Sequence, residues 1–264
     1  MKRCIRLPGM PLGRRQEITM RTAHRITAAL GVGLLGSFPL FCAETLSDKQ
    51  IDQLLDEGRR VIAQGIPDTA IKKDIDPVIA EFERRYAQET RVIYVTHGLA
   101  ETVAYMAMAG VADGKSGHKR GAIAVQDPWT DALVMKGYAL FELRRPDEGK
   151  SVLRRAIELS PLYPPPWIEL GALYQQEKDW PAALDAYQNA EDGAQFMAEG
   201  AEKTAMLTRA WRGKGFVLTE QGKLDESEAL YRKCLALDAD DGGAKRELEY
   251  IQSLRNKAKS TTTP

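Results

Sequence analysis

Few residues in this chain invite chemistry, and they are scattered. Gly110-Val-Ala-Asp-Gly114-Lys115-Ser116 has the glycines, lysine and hydroxyl of a phosphate-binding turn, in which backbone N–H groups and an ammonium hold anionic oxygens. Such a turn needs four residues between its glycines and a strand ahead of it. Here there are three, and the preceding Leu99–Val111 has the pattern of a helix. The segment is better read as a basic, glycine-rich connection running through Arg120. Beyond residue 43 the histidines are His97 and His118, neither with Cys, His or carboxylate neighbours at metal-ligand spacing. No Gly-x-Ser-x-Gly turn presents a serine nucleophile, and Cys234 stands without a catalytic motif. Paired carboxylates are plentiful, but on helices this charged they form solvated faces. The expectation is a protein that is not an enzyme and uses no cofactor or metal.

The net charge is zero, yet residues 1–43 hold seven Lys/Arg and one acid, which leaves the remainder at −6. A basic leader, an apolar run Ile26–Phe41 and small residues near Ala43 follow the order of a secretory signal over 1–43. A start at Met20 would give that signal an ordinary length. The expected location is the periplasm or the exterior. The alternative is an uncleaved anchor in the inner membrane facing the periplasm, and the membrane is a partner only in that case. Of three cysteines, Cys4 and Cys42 lie in the leader, so the remainder forms no internal disulfide. Its acidic balance, with Lys and Arg interspersed among Glu and Asp, speaks against nucleic acid.

What the elements must position becomes clear from an internal repeat. Trp167-Ile-Glu-Leu170-Gly171-Ala-Leu-Tyr174 is followed by Ala183 and Tyr187. Counting Gly171 as position 8 of a unit at 164–197, a step back of 34 residues puts Gly137, Leu140, Gly149, Leu153 and Ala156 at positions 8, 11, 20, 24 and 27 of a unit at 130–163. A step forward of 44 puts Trp211, Gly215, Leu218, Ser227, Tyr231 and Cys234 at positions 4, 8, 11, 20, 24 and 27 of a unit at 208–241. Small residues at 8, 20 and 27 let two antiparallel helices cross closely, and large ones at 4, 11 and 24 fill the space around the crossing. The ten extra residues, 198–207, are rich in Ala, Glu, Lys and Met and lengthen the helix that carries Trp211. Residues 242–257 form an amphipathic capping helix, and 258–264 a disordered tail.

These units resemble the tetratricopeptide repeat family, whose Trp-x2-Leu-Gly-x2-Tyr opening Trp167–Tyr174 matches without a gap. The resemblance implies an all-α fold of antiparallel helix pairs stacked as a right-handed solenoid, a non-catalytic scaffold that takes a peptide or helix of a partner protein in its concave groove. The packing residues are then Gly137, Gly149, Ala156, Trp167, Gly171, Tyr174, Ala183, Tyr187, Trp211, Gly215, Tyr231 and Cys234. The groove positions of the family fall on Val134, Tyr138 and Phe141, on Ile168 and Gln175, and on Arg209, Arg212 and Phe216. That groove is apolar at one end and basic at the other, suited to a ligand with an apolar anchor and an acidic group. The two-carboxylate clamp of the chaperone-adaptor members is absent, because Val134, Tyr138 and Glu169 stand where it has Lys, Asn and Asn.

Residues 44–129 match the repeat poorly and read as divergent helices. Ser47-Asp-Lys-Gln50 is a capping box opening a helix to about Gln64, and the 68–89 stretch is kinked near Asp76-Pro77. Arg91–Val95 reads as a buried connection, since nothing near it in sequence would pair with it. Ala122, in phase with Ala156, marks a degenerate unit at 96–129. The alternative function is an accessory role in an envelope enzyme system, with a site within 46–128.

Overall fold

A computed structural model describes residues 45–116 and 121–261. The leader at 1–43 lies outside them, as do the last three residues of the expected tail. No described helix is long and apolar enough to cross a membrane.

The chain enters through α1 (Asp48–Ala63), opened by the capping box: Ser47 Oγ accepts from the Gln50 N–H and Gln50 Oε1 from the Ser47 N–H. Next come α2 (Pro67–Ala70), a π-turn over Ile71–Ile75 and α3 (Asp76–Arg85). The kink expected near Asp76 takes the form of this π-turn. Pro77 has no N–H to donate, and the Asp76 N–H reaches back to the Ile71 carbonyl instead of the usual one four residues behind. The helices thereby stay continuous and bury Ile71, Ile75, Val78, Ile79 and Phe82 against Ile51 and Leu55.

Arg91–Val95 is not a mere connection. Val92–Val95 (β1) pairs in parallel with Ala122–Val125 (β2), Val92 opposite Ala122 and Val95 opposite Val125, with α4 (Leu99–Ser116) as the crossover. A parallel partner requires such a crossover, so it lies some thirty residues away in sequence, beyond the reach of a search for hairpins. Ala122 is therefore a strand residue and not the small crossing residue of a repeat. Gly110–Ser116 is the continuation of α4, not a turn.

The repeats follow as three helix pairs: α5 (Trp129–Glu142) on α6 (Pro146–Leu159), α7 (Pro164–Glu177) on α8 (Trp180–Ala194), and α9 (Ala201–Glu220) on α10 (Leu224–Leu237). Each crossing uses one device. A Cβ on Gly137, Gly171 or Gly215 would stand 2.6–2.7 Å from the side chain sixteen residues later, Leu153, Tyr187 or Tyr231. The large residue of the second helix is thus seated on bare backbone of the first. Helix α9 begins at Ala201 and absorbs most of the ten extra residues as additional length. The cap, α11 (Gly242–Thr261), buries Ala244 and Ile251 and runs past 257 into the expected tail. Among the described residues the fold is an all-α repeat solenoid with one two-stranded insertion.

Trp129 joins the first helices to the repeats. Its ring stacks on Phe82 (6.0 Å between centroids) and Tyr86 (5.8 Å), and the Tyr86 hydroxyl donates to Asp127 Oδ2 at 2.7 Å. Beside it the buried Glu81 receives Arg84 and Arg85.

Candidate partner-binding groove

Ile168, Ala172 and Gln175 project from one face of α7, and Arg209, Arg212 and Phe216 from the facing side of α9, because residues three and four apart share a helix face. Together they line a cavity of about 330 Å³. Tyr187 and Tyr231 form its floor, and α11 closes one end with Arg246 and Glu247. Five of the eight groove positions read from the sequence therefore meet in one place: Ile168, Gln175, Arg209, Arg212 and Phe216.

The other three do not line it. Val134 packs into the core of the first helices, and Phe141 into the cluster of Leu153, Leu170 and Leu173. Tyr138 is 40% exposed on α5. Burial, with Glu142 and Glu169 nearby, raises its phenol pKa, so it remains a neutral donor beside the groove. Of the packing positions, Gly137, Gly149, Ala156, Gly171, Ala183, Tyr187, Trp211, Gly215, Tyr231 and Cys234 are buried. Trp167 and Tyr174 are half-buried, with Trp167 Nε1 donating to the Pro161 carbonyl at 2.8 Å and the Tyr174 hydroxyl accepting from Arg154 at 2.9 Å.

The basic end is more committed than the side-chain types suggest. Arg209 is paired with Glu169 at 2.6 Å, and Arg212 with Asp241. Burial alone would raise the Asp241 carboxyl, but the Ala244 N–H and the Arg212 guanidinium outweigh it and hold the pKa below the usual carboxylate range. Gln175 Oε1 accepts from the Tyr187 hydroxyl at 2.9 Å. Arg246 makes no ion pair among the described residues and stands exposed at the groove's edge. Burial raises the pKa of neighbouring Glu247, against the pull of Arg246. The groove therefore offers an apolar floor, two guanidiniums with part of their donors engaged and one with its fork unspent.

Arg246 is absent from the groove positions read from the sequence because it lies on the capping helix, outside the three units. Its signal was there: 246 is 34 residues past Arg212, so the cap continues the repeat's own numbering and Arg246 occupies the same groove position.

Residues 130–161 and 208–241 match the tetratricopeptide repeat family. Among solved structures, the chain is similar to the first TPR domain of human RPAP3, with 19% identity, 52% of this chain and 98% of that one covered, and a TM-score of 0.43. It is likewise similar to the first TPR of Spaghetti (RPAP3) bound to an HSP90 peptide, with 19% identity, 48% and 93% covered, and a TM-score of 0.41. MamA from Desulfovibrio magneticus RS-1 aligns with 14% identity, 80% and 88% covered, and a TM-score of 0.47. No curated protein matches the sequence.

Proposed function

We propose that this tetratricopeptide-repeat protein is a non-catalytic scaffold of the cell envelope, whose groove between α7, α9 and α11 binds a short peptide or helix of a partner protein. The observation that carries the reading is the convergence of Ile168, Ala172 and Phe216 with Arg209, Arg212 and Arg246 on one cavity. An apolar residue of the ligand fills the floor, and a nearby carboxylate takes the free fork of Arg246, a charge-assisted contact stronger than a neutral one. Because Arg209 and Arg212 already hold protein carboxylates, they orient the ligand more than they attract it. The basic leader and its apolar run support export, and with it a partner in the envelope.

The test uses two synthetic peptides, one with a leucine flanked by glutamates and one with the same leucine flanked by lysines. The acidic peptide should bind and the basic one should not. Arg246→Ala and Phe216→Ala should each weaken capture about tenfold, the scale of one lost charged or apolar contact. A folded double variant that binds as wild type would overturn the assignment. For location, the first sixty or so residues fused to alkaline phosphatase should give an active enzyme, and an inactive fusion would remove export.

A further inference from the structure

Helix α4 inverts the usual arrangement of a surface helix. From Leu99 to Ala112 its one charged residue is Glu101, and that side chain is turned inward, 2% exposed. Leu99, Val103 and Val111 instead stand 79%, 62% and 58% exposed. At 3.6 residues per turn these three and the intervening Ala100, Ala107 and Gly110 fall within an arc of about 120°, so the outward side is a continuous apolar stripe. A contiguous apolar patch on a soluble surface marks a contact site.

The stripe runs at its N-terminal end into a cavity of about 630 Å³, which Leu99 also lines. Glu101, Asp131 and Glu202 contribute carboxylates to the lining and Phe196 an aromatic ring, and no Lys or Arg takes part. His97, the one basic side chain there, stacks flat on Tyr163, 3.5 Å between centroids. Glu101 Oε2 accepts the His97 N–H at 2.9 Å and lies 3.3 Å from its Nδ1. The Tyr163 hydroxyl donates to Asp131 at 2.8 Å. Burial raises the Tyr163 pKa, and Asp131, Glu202 and Glu101 all push it the same way, so the three charges act on one space.

We propose that the α4 stripe and this cavity form a second docking surface, separate from the groove, for a basic amphipathic segment of a partner protein whose apolar residues lie on Leu99, Val103 and Val111 and whose arginine or lysine enters between Asp131 and Glu202. Charge complementarity selects that occupant. An interfacial helix that lies on a membrane carries several Lys and Arg along its apolar face; α4 carries a single one, Lys115 in its last turn, and the carboxylates beside the stripe repel anionic headgroups.

The experiment uses the full chain and two synthetic helical peptides with the same leucine pattern, one ending in two arginines and the other in two glutamates. The arginine peptide should bind at least tenfold more tightly. Glu202→Gln, and separately Asp131→Asn, should each cut that preference severalfold. Leu99→Ser with Val103→Ser should abolish binding of both peptides at unchanged far-UV helicity, since both side chains already face solvent. Arg246→Ala should leave all of this unaltered, which separates the surface from the groove. Equal binding of the two peptides, binding of neither, or retention by the double serine variant would overturn the proposal. Self-association in sedimentation that the double serine variant abolishes would assign the stripe to a second copy. Flotation with vesicles of anionic lipid that the same variant abolishes would assign it to a membrane. Either would equally overturn it.

Discussion

Replacing Gly171 by alanine adds one methyl group to the α7–α8 crossing and should destabilise the protein. The new Cβ would stand 2.7 Å from Tyr187 Cε1 and 2.9 Å from Cδ1 and Cζ, where carbon atoms rest at about 3.5–4.0 Å. The ring must therefore retreat by nearly 1 Å. It is 3% exposed and its hydroxyl is held on Gln175. Behind it stands Gly213 of α9, whose own Cβ would meet the same ring closer still. With backbone on both sides the ring can yield only towards the groove it floors, against its hydrogen bond to Gln175, so overpacking costs about 1–3 kcal/mol. Alanine's better helix propensity returns about 0.5–1 kcal/mol, so from the middle of both ranges the net loss is about 1 kcal/mol. That corresponds to a fall in Tm of roughly 2–4 °C for a domain of this size, read by far-UV circular dichroism. Gly110→Ala in α4 meets nothing within 4 Å, so only the propensity gain remains and the same substitution should be neutral or stabilising. In a Tyr187→Leu background, Gly171→Ala should lose most of its cost. A Gly171→Ala protein as stable as wild type would refute the packing argument.

Two further outcomes follow from buried titratable groups. The hydrogen bond from Arg84, assisted by Arg85, outweighs burial and holds the Glu81 carboxyl at about 2, below its ordinary 4.5. Its contribution to stability is complete above about pH 4.5 and is lost as the pH falls towards 2; Tm should drop over that window, less steeply in Glu81→Gln, and parallel curves would contradict the linkage. Burial, with Asp241 nearby, pushes the Cys234 thiol up to about 11, so almost none is thiolate at pH 8. Peptide mapping after alkylation should find Cys234 unmodified in the native chain and modified in urea, and native labelling would place it at the surface.

The repeats were legible in the sequence because the steric demand of a helix crossing maps onto residue type: glycine at 137, 171 and 215 and a large residue sixteen places on. The capping box at Ser47–Gln50 was legible for a similar reason, a fixed short spacing. The β1–β2 pair was not, since Ala122-Ile-Ala-Val125 carries two alanines and its partner lies across a whole helix. Nor was the fate of Val134 and Phe141. Val134 packs on the core built by α1–α3, which stands where a preceding repeat would leave open space, and Phe141 turns instead onto Leu153, Leu170 and Leu173 of α6 and α7. Glu101 lies one helical turn beyond His97, yet charge type alone does not reveal that it points inward.

The cap does more than end the stack. Asp241, at its threshold, holds Arg212 of α9, and Arg246 of its first turns reaches the groove. Repeat proteins commonly change length by duplicating or losing whole units, each of which contacts its neighbours alone. A unit inserted between residues 241 and 242 would leave Asp241 beside Arg212 but carry Arg246 away from Phe216 and Arg209. The last pair and its cap therefore build the groove as one piece, and lengthening the array between them would dismantle it, whereas added units elsewhere would leave it whole.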